Sequence, residues 1–171
     1  LEPEFTKLRW GRQRTIDAHR YAQRAVAWVK RLIEENALDS DYRHTGMLRV
    51  SYSPAQLKRL RSTYLLMQEL GIDEDLGFRE SAGLREEFRT DRYLGAIQER
   101  ETGILNPCKH VRALKRLAMA AGVSVYEGSP VTLLERACGD VRVHTPGGVV
   151  SASRVVLATN AYTSALQGQP K

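Results

Sequence analysis

The fold is decided by three stretches of the sequence, Gly103-Ile-Leu-Asn-Pro-Cys-Lys-His-Val-Arg-Ala-Leu114, Ala121-Gly-Val-Ser-Val-Tyr-Glu127 and Val155-Val-Leu-Ala-Thr-Asn-Ala-Tyr162. The first opens a helix at Asn106-Pro107, because asparagine caps helices and proline suits their first turn. Gly122 ends that helix, and the apolar runs that follow predict a parallel strand at 123–126 and a strand buried on both faces at 155–158. A helix, a returning strand and a second buried strand are typical of half of a nucleotide-binding domain.

The other half of such a domain is absent from the sequence. It would be a Gly-x-Gly-x-x-Gly turn between a strand and a helix, and no such spacing of glycines occurs in the 171 residues. That turn places a pyrophosphate on a helix N-terminus. We therefore expect the chain to be an internal piece of a larger protein, to which any function belongs.

Composition bounds the class of protein. With 42% apolar and 27% charged residues, the chain has the makeup of a soluble globular protein of one domain or two small lobes. No apolar run approaches the roughly 20 residues of a membrane span, and the N-terminus lacks a signal-peptide pattern, so we expect a cytoplasmic protein. Cys108 and Cys138 lie far apart without a C-x-x-C pair, which predicts neither a disulfide framework nor a metal site.

The net charge of +6 raises the possibility of a nucleic-acid ligand, but the 26 basic residues are interleaved with 20 acidic ones. The densest basic stretch runs from Arg9 to Arg24 and is the basis of an alternative function, a small basic binding module that contacts nucleic acid or an acidic partner. Residues 114–124 resemble the start of a helix-turn-helix motif. Gly128 and Pro130 fall where its recognition helix would begin, so DNA binding is not expected.

Hydrophobic periodicity and turn residues predict the remaining elements. A long amphipathic helix, a strand and a second helix capped by Ser53-Pro54 and ended by Gly71 are expected first. The expected ranges are helix 12–37, strand 45–52, helix 54–70, a short strand near Phe78, helix 82–88 and strand 93–98.

The C-terminal third is predicted to be a helix followed by antiparallel strands. Pro146-Gly147-Gly148 supplies a hairpin turn between two of those strands. The expected strands are 131–134, 141–145 and 149–152, and the expected buried face of the helix is Val111, Leu114, Leu117, Ala118 and Ala121.

Several of these pieces, in this order and spacing, resemble the FAD-dependent oxidoreductases of the D-amino acid oxidase class, which include glycine and sarcosine oxidases and gamma-glutamylputrescine oxidoreductases. The likeness spans most of the chain. It rests on Trp10-Gly11 before the long helix, Gly46-Met-Leu-Arg-Val50, Gly103-Ile-Leu-Asn-Pro-Cys-Lys109, Gly122-Val-Ser-Val-Tyr-Glu-Gly-Ser-Pro-Val131 and Val155-Val-Leu-Ala-Thr-Asn-Ala-Tyr162.

The resemblance implies an α+β or α/β architecture in two parts. Residues 1–102 would be the long helix and part of a mixed-sheet substrate domain, and residues 103–171 part of a Rossmann-like FAD-binding domain. In the family, the backbone at the position of Val131 meets the adenine end of FAD, and the strand ending in Ala158-Thr159-Asn160 passes beneath the dinucleotide. The alternative is that Val131 and 155–157 are ordinary sheet core.

The resemblance also implies the chemistry. FAD would take a hydride from the carbon that bears an amine, giving an imine that water hydrolyses, and the protein would bind and orient a small amine or amino acid. Candidate substrate residues are Arg43, His44 and Tyr93. The alternatives are a surface charge, a loop histidine and a tyrosine packed at a sheet edge. No catalytic residue is assigned, and the chain alone is not expected to hold FAD.

Overall fold

The computed structural model describes residues 2–137 and 139–165. The chain divides into two compact units, Leu1–Ala121 and Gly122–Lys171. The functional division at residue 103 stays a prediction. The first unit contains α1 (Pro3–Glu35), β1 (Met47–Ser51), α2 (Pro54–Leu70), β2 (Leu76–Glu80), α3 (Ser81–Phe88), β3 (Gly95–Glu99) and α4 (Pro107–Ala120). The second contains β4 (Leu133–Ala137), β5 (Asp140–Thr145), β6 (Gly148–Ala152) and a 3-10 helix (Asn160–Ala165).

Helix α1 is two helical segments joined at Gly11. That glycine has φ 84° and ψ 174°, a conformation that is available to glycine and not to residues with a side chain. The predicted helix start at Arg12 is therefore the start of the second segment. In this segment, Ile16 is buried, whereas Tyr21 is 71% exposed.

Helix α2 has the predicted ends. The Ser53 side chain accepts a hydrogen bond from the Gln56 amide at 3.3 Å, and the Gln56 side chain reaches back to accept one from the Tyr52 amide at 2.9 Å. Gly71 closes the helix in the left-handed region, at φ 66° and ψ 44°. The local capping prediction is confirmed at both ends.

The sheet of the first unit is antiparallel throughout, in the order β1-β3-β2. In the register, Met47 lies opposite Glu99, and Ser51 opposite Gly95. Both helices α1 and α2 contribute to its core, so the core joins them to one face of the sheet. The buried cluster is Ile16, Met67, Leu70, Ile72, Leu76 and Ile97.

Helix α4 begins as predicted but is less buried than predicted. Asn106 caps it, since its side-chain oxygen accepts from the amides of Cys108 and Lys109 at 3.1 and 3.2 Å. Only Ala113 is buried, and Val111 of the predicted buried face is 63% exposed. That prediction is wrong because, within the described residues, no helix or strand makes extensive contact along α4.

The second unit contains the predicted three-stranded antiparallel meander, in the order β4-β5-β6. Thr145 lies opposite Gly148, so Pro146-Gly147 forms the two-residue turn between β5 and β6. The first strand begins at Leu133, two residues later than predicted.

The two predicted parallel strands are absent. Residues 123–126 and 155–158 form no strand in the described part of the chain, and all of them except the half-buried Val155 are exposed, with Tyr126 74% and Val156 89% exposed. A strand exists only when a neighbour satisfies its backbone hydrogen bonds, and neither stretch pairs with a strand among the described residues. The described residues also contain no helix at 125–132, as a helix-turn-helix motif would require.

Candidate functional site

Arg43 and His44 lie at a joint between the loop before β1 and the segment after β3. The amide of Arg43 donates to the carbonyl of Ile104, and the amide of Ile104 donates to the carbonyl of Arg43, both at 2.9 Å. His44 Nε2 lies 3.4 Å from Glu101 Oε2. The backbone of this pair is therefore fixed, while the Arg43 side chain is exposed.

The joint depends on a glycine. A Cβ atom on Gly103 would lie 2.7 Å from the Arg43 carbonyl oxygen and 2.7 Å from the ring of Tyr42, inside contact distance. The absence of a side chain at 103 thus allows the two backbones to approach each other.

Tyr93 lies near the opposite end of the paired strands β1 and β3. It precedes β3 and packs edge-on against Tyr52 and Phe88, with ring centroids 5.6 and 6.3 Å away. In the register, Met47 pairs with Glu99 and Ser51 with Gly95. Tyr93, just before Gly95, therefore lies near the Ser51 end of β1, whereas His44 lies near the Met47 end. The two ends are about five strand residues, or ~17 Å, apart. The structure does not bring Tyr93 together with Arg43 and His44.

The four residues predicted to meet a cofactor lie in the second unit. Val131 is half-buried beside Thr132, whose amide donates to the His144 carbonyl at 2.9 Å. Ala158, Thr159 and Asn160 are exposed. The carbonyls of Thr159 and Asn160 already accept hydrogen bonds, from the Tyr162 amide at 3.0 Å and the Thr163 hydroxyl at 2.8 Å. The exposure of all three residues leaves them accessible to a ligand, which fits the contacts that FAD would require of these positions.

The sequence did not predict a groove of about 1010 Å³ that lies between α1 and the first sheet. Its wall combines apolar side chains with a group of charged and polar ones. The residues that characterise it are Ala22, Val26, Met47, His19, Gln23, Arg49, Asp75 and Glu99. The only signal in the sequence is the helical spacing of Ile16, His19 and Gln23, which places His19 beside the core face.

His19 is the perturbed group of this groove. Its Nε2 atom is buried and has no hydrogen-bond partner among the described residues. Burial lowers the pKa of His19 below its ordinary value, and the nearby Arg49 lowers it further, against the opposing effects of Asp75 and Glu99. Arg49 Nε lies 3.0 Å from Glu99 Oε1, an ion pair without the alignment of a hydrogen bond.

We expect this histidine to make stability depend on pH. Since its pKa is lowered from 6.5 in the folded state, the unfolded chain binds more protons near that pH, and the free energy of unfolding falls as pH drops below about 6.5. His19→Gln should weaken this fall. Urea unfolding between pH 8 and 5 compares the slopes, with His144→Gln as the control because that imidazole lies 3.1 Å from Glu135 at the surface. Equal slopes for the wild type and His19→Gln would contradict the prediction.

The described residues also bear on thiol chemistry, metal binding and membrane insertion. Cys108 is an exposed free thiol, and Cys138 lies outside the described residues. In the part of the chain that the structure describes, no three His, Cys, Asp or Glu side chains are grouped to hold a metal ion. Over the same residues, no helix is long and apolar enough to cross a membrane.

Residues 3–171 match the family described as FAD dependent oxidoreductase. The chain belongs to this family. Among curated relatives, the probable oxidoreductase OrdL of Rhizobium meliloti (strain 1021) is 27% identical over 146 residues, which is 85% of this chain and 34% of that protein. Gamma-glutamylputrescine oxidoreductase of Escherichia coli (strain K12) is 29% identical over 134 residues, 78% of this chain and 31% of that protein.

Solved structures show the same fold. Glycine oxidase from Geobacillus kaustophilus matches with a TM-score of 0.74 at 23% identity, over 87% of this chain and 41% of that chain. L-proline dehydrogenase from P. horikoshii matches with a TM-score of 0.71 at 20% identity, over 84% of this chain and 38% of that chain. The fold class is therefore confirmed as part of the flavoprotein fold. The chain spans about a third of the length of the curated relatives named above.

Proposed function

We propose that the parent protein of this chain is a flavin-dependent enzyme that oxidises the C–N bond of a small amine or amino acid to an imine, which water then hydrolyses. The family match over residues 3–171 carries this proposal. It is supported by relatives whose names are gamma-glutamylputrescine oxidoreductase and glycine oxidase. The activity belongs to the longer protein, which we expect in the cytoplasm.

Within that enzyme, we assign cofactor contacts to the backbone of Val131, Ala158, Thr159 and Asn160. The exposure of residues 158–160 supports this assignment, because a ligand can reach them. When bound, FAD supplies the redox chemistry by accepting a hydride from the carbon that bears the nitrogen. The residues of this chain would hold the cofactor and orient the substrate.

Arg43 and His44 are the proposed substrate residues. A guanidinium on a fixed backbone binds a carboxylate with charge-assisted hydrogen bonds, and the exposed Arg43 side chain extends from such a backbone. His44 supplies a polar wall whose ring is oriented by Glu101. Tyr93 stays a separate candidate for an apolar wall of the cavity, because a small amine or amino acid does not span the ~17 Å between it and the end of the strand pair near His44.

The alternative of a small basic binding module is not supported. The basic residues of α1 are partly neutralised within the chain, as Lys7 and Arg12 both pair with Glu69 at 3.1 and 3.3 Å. The similarity of nearly the whole chain to flavoenzymes favours the enzyme.

The 171-residue chain purified alone should retain no FAD, whereas the parent protein should retain it. The Gly-x-Gly-x-x-Gly turn is absent from this sequence, and each lost charge-assisted hydrogen bond to the pyrophosphate removes about 1.5–3 kcal/mol of binding. Gel filtration followed by a visible spectrum measures the flavin content. A yellow chain with one flavin per molecule would contradict this expectation.

The activity itself is tested on the FAD-loaded parent protein. Mixing it without oxygen with a primary amine, a secondary amine or an amino acid should bleach the flavin absorbance and release a carbonyl product after hydrolysis of the imine. An alcohol of the same carbon skeleton is the control. Bleaching by the alcohol and by none of the nitrogen compounds would exclude C–N oxidation.

A further inference from the structure

A lysine at the start of α4 is bound to the loop that carries Arg43 and His44. Lys109 Nζ lies 2.7 Å from Asp41 Oδ1 and 3.4 Å from Asp39 Oδ1. The bridge spans 68 residues between Lys109 and Asp41, so it ties two parts of the first unit that are remote in sequence.

The position of Lys109 is unfavourable for the helix alone. It lies in the first turn of α4, where the helix dipole favours an anion, and that turn contains no acidic residue. The carboxylate of Asp41 supplies the missing negative charge from the loop, and the nearby Asn106 side chain also favours its charged form. The hydrogen bond with Lys109 lowers the pKa of Asp41 and raises that of Lys109, so both groups are charged at neutral pH.

The loop backbone has a conformation that needs such support. Asp41 has φ 50°, in the left-handed region that is unfavourable for residues other than glycine and is best tolerated by Asn and Asp. Ala37 earlier in the same loop has φ 47°. Contacts outside the loop must therefore offset the cost of this conformation.

A second contact lies beside the first. Ser40 is 1% exposed, and its Oγ lies 3.1 Å from Nδ1 of His110, the residue after Lys109. The Ser40 carbonyl accepts a hydrogen bond from the Asn106 amide at 2.8 Å. Three residues after Ser40, the paired backbones of Arg43 and Ile104 continue this junction toward β1.

We propose that Lys109 and His110 are positioning residues that fix the backbone of Arg43 and His44 through Asp41 and Ser40. Neither contacts the substrate; they act by limiting the conformations of the loop that presents Arg43. The functional half of this inference rests on the proposed substrate role of Arg43. The structural half, that the two helix residues order the loop, stands on the contacts alone.

Amide hydrogen exchange in the chain tests the structural half. Lys109→Met should speed exchange at the amides of Arg43, Ile104 and Asn106 about two- to fivefold, the scale of a partly exposed ion pair. Lys109→Arg should restore wild-type exchange, since it keeps the charge. Arg116→Met removes a charge from an exposed site on the same helix and should change none of these amides. Unchanged exchange in Lys109→Met would overturn the inference.

Kinetics of the FAD-loaded parent protein test the functional half. Lys109→Met should lower kcat/KM about two- to fivefold for an amine that bears a carboxylate, mainly through KM, and leave a plain amine unaffected. Equal losses on both substrates indicate a merely structural role and overturn the inference. If Arg43→Ala shows no selective loss, the proposed substrate role of Arg43 has failed instead, and the exchange experiment still decides whether Lys109 orders the loop.

Discussion

Ile97→Ala should lower the free energy of unfolding by about 2–5 kcal/mol, the range for truncating a buried isoleucine. Ile97 lies in the central strand β3, is 0% exposed and pairs with Arg49 on one side and Phe78 on the other. It belongs to the cluster that joins α1 and α2 to the sheet. The substitution removes apolar contacts and leaves a cavity that a central strand cannot collapse to fill.

Urea unfolding followed by circular dichroism measures this loss. Ile97→Val is the matched control, because it removes one methylene and should cost only about 0.5–1.5 kcal/mol. Since a domain of this size has a total stability of about 5–15 kcal/mol, Ile97→Ala should shift the midpoint strongly with an unchanged slope. Equal midpoints for the alanine and valine variants would show that β3 is not the centre of the core.

Features set by a few neighbouring residues could be predicted from the sequence. Ser53, Gln56 and Gly71 specify both ends of α2 because capping groups and left-handed residues act within one helical turn. The turn at Pro146-Gly147 fixes the pairing of β5 with β6 in the same way. These predictions needed no knowledge of the rest of the chain.

Features set by distant partners could not be predicted. Residues 123–126 and 155–158 have apolar, β-branched sequences, yet such residues form a strand only beside another strand. The buried face expected for α4 was wrong for a related reason, since amphipathic spacing predicts which side of a helix is apolar but not whether anything covers it.

The same distinction applies to the candidate site. Arg43 and His44 were predicted from their place before β1, but their separation from Tyr93 follows from the register between β1 and β3, which no local signal sets. Lys109 with Asp41, and Gln23 with Asp75, are contacts between residues 68 and 52 positions apart in the numbering. A sequence without an alignment of relatives carries no signal for such pairs.

Arg43→Ala in the FAD-loaded parent protein should lower kcat/KM roughly ten- to a hundredfold toward an amine that bears a carboxylate. This corresponds to a loss of about 1.5–3 kcal/mol of transition-state stabilisation. The loss should be small toward a plain amine of the same chain length. The selectivity has a physical cause, because the guanidinium forms charge-assisted hydrogen bonds with the carboxylate and has no such partner on the plain amine.

Steady-state kinetics with the two substrates separate this role from folding damage, which would lower both activities alike. Arg43→Lys is the second variant: it keeps the charge but loses the planar fork of donors, so it should recover part of the lost activity toward the carboxylate-bearing amine. Arg112→Ala, which removes an exposed arginine on α4, is the control for a general loss of positive charge.

The Arg43 backbone is held by two hydrogen bonds with the Ile104 backbone, both 2.9 Å long, so truncating the Arg43 side chain leaves the joint intact. Equal losses on the two substrates, or no loss at all, would therefore identify Arg43 as a surface charge and would place carboxylate recognition elsewhere in the parent protein.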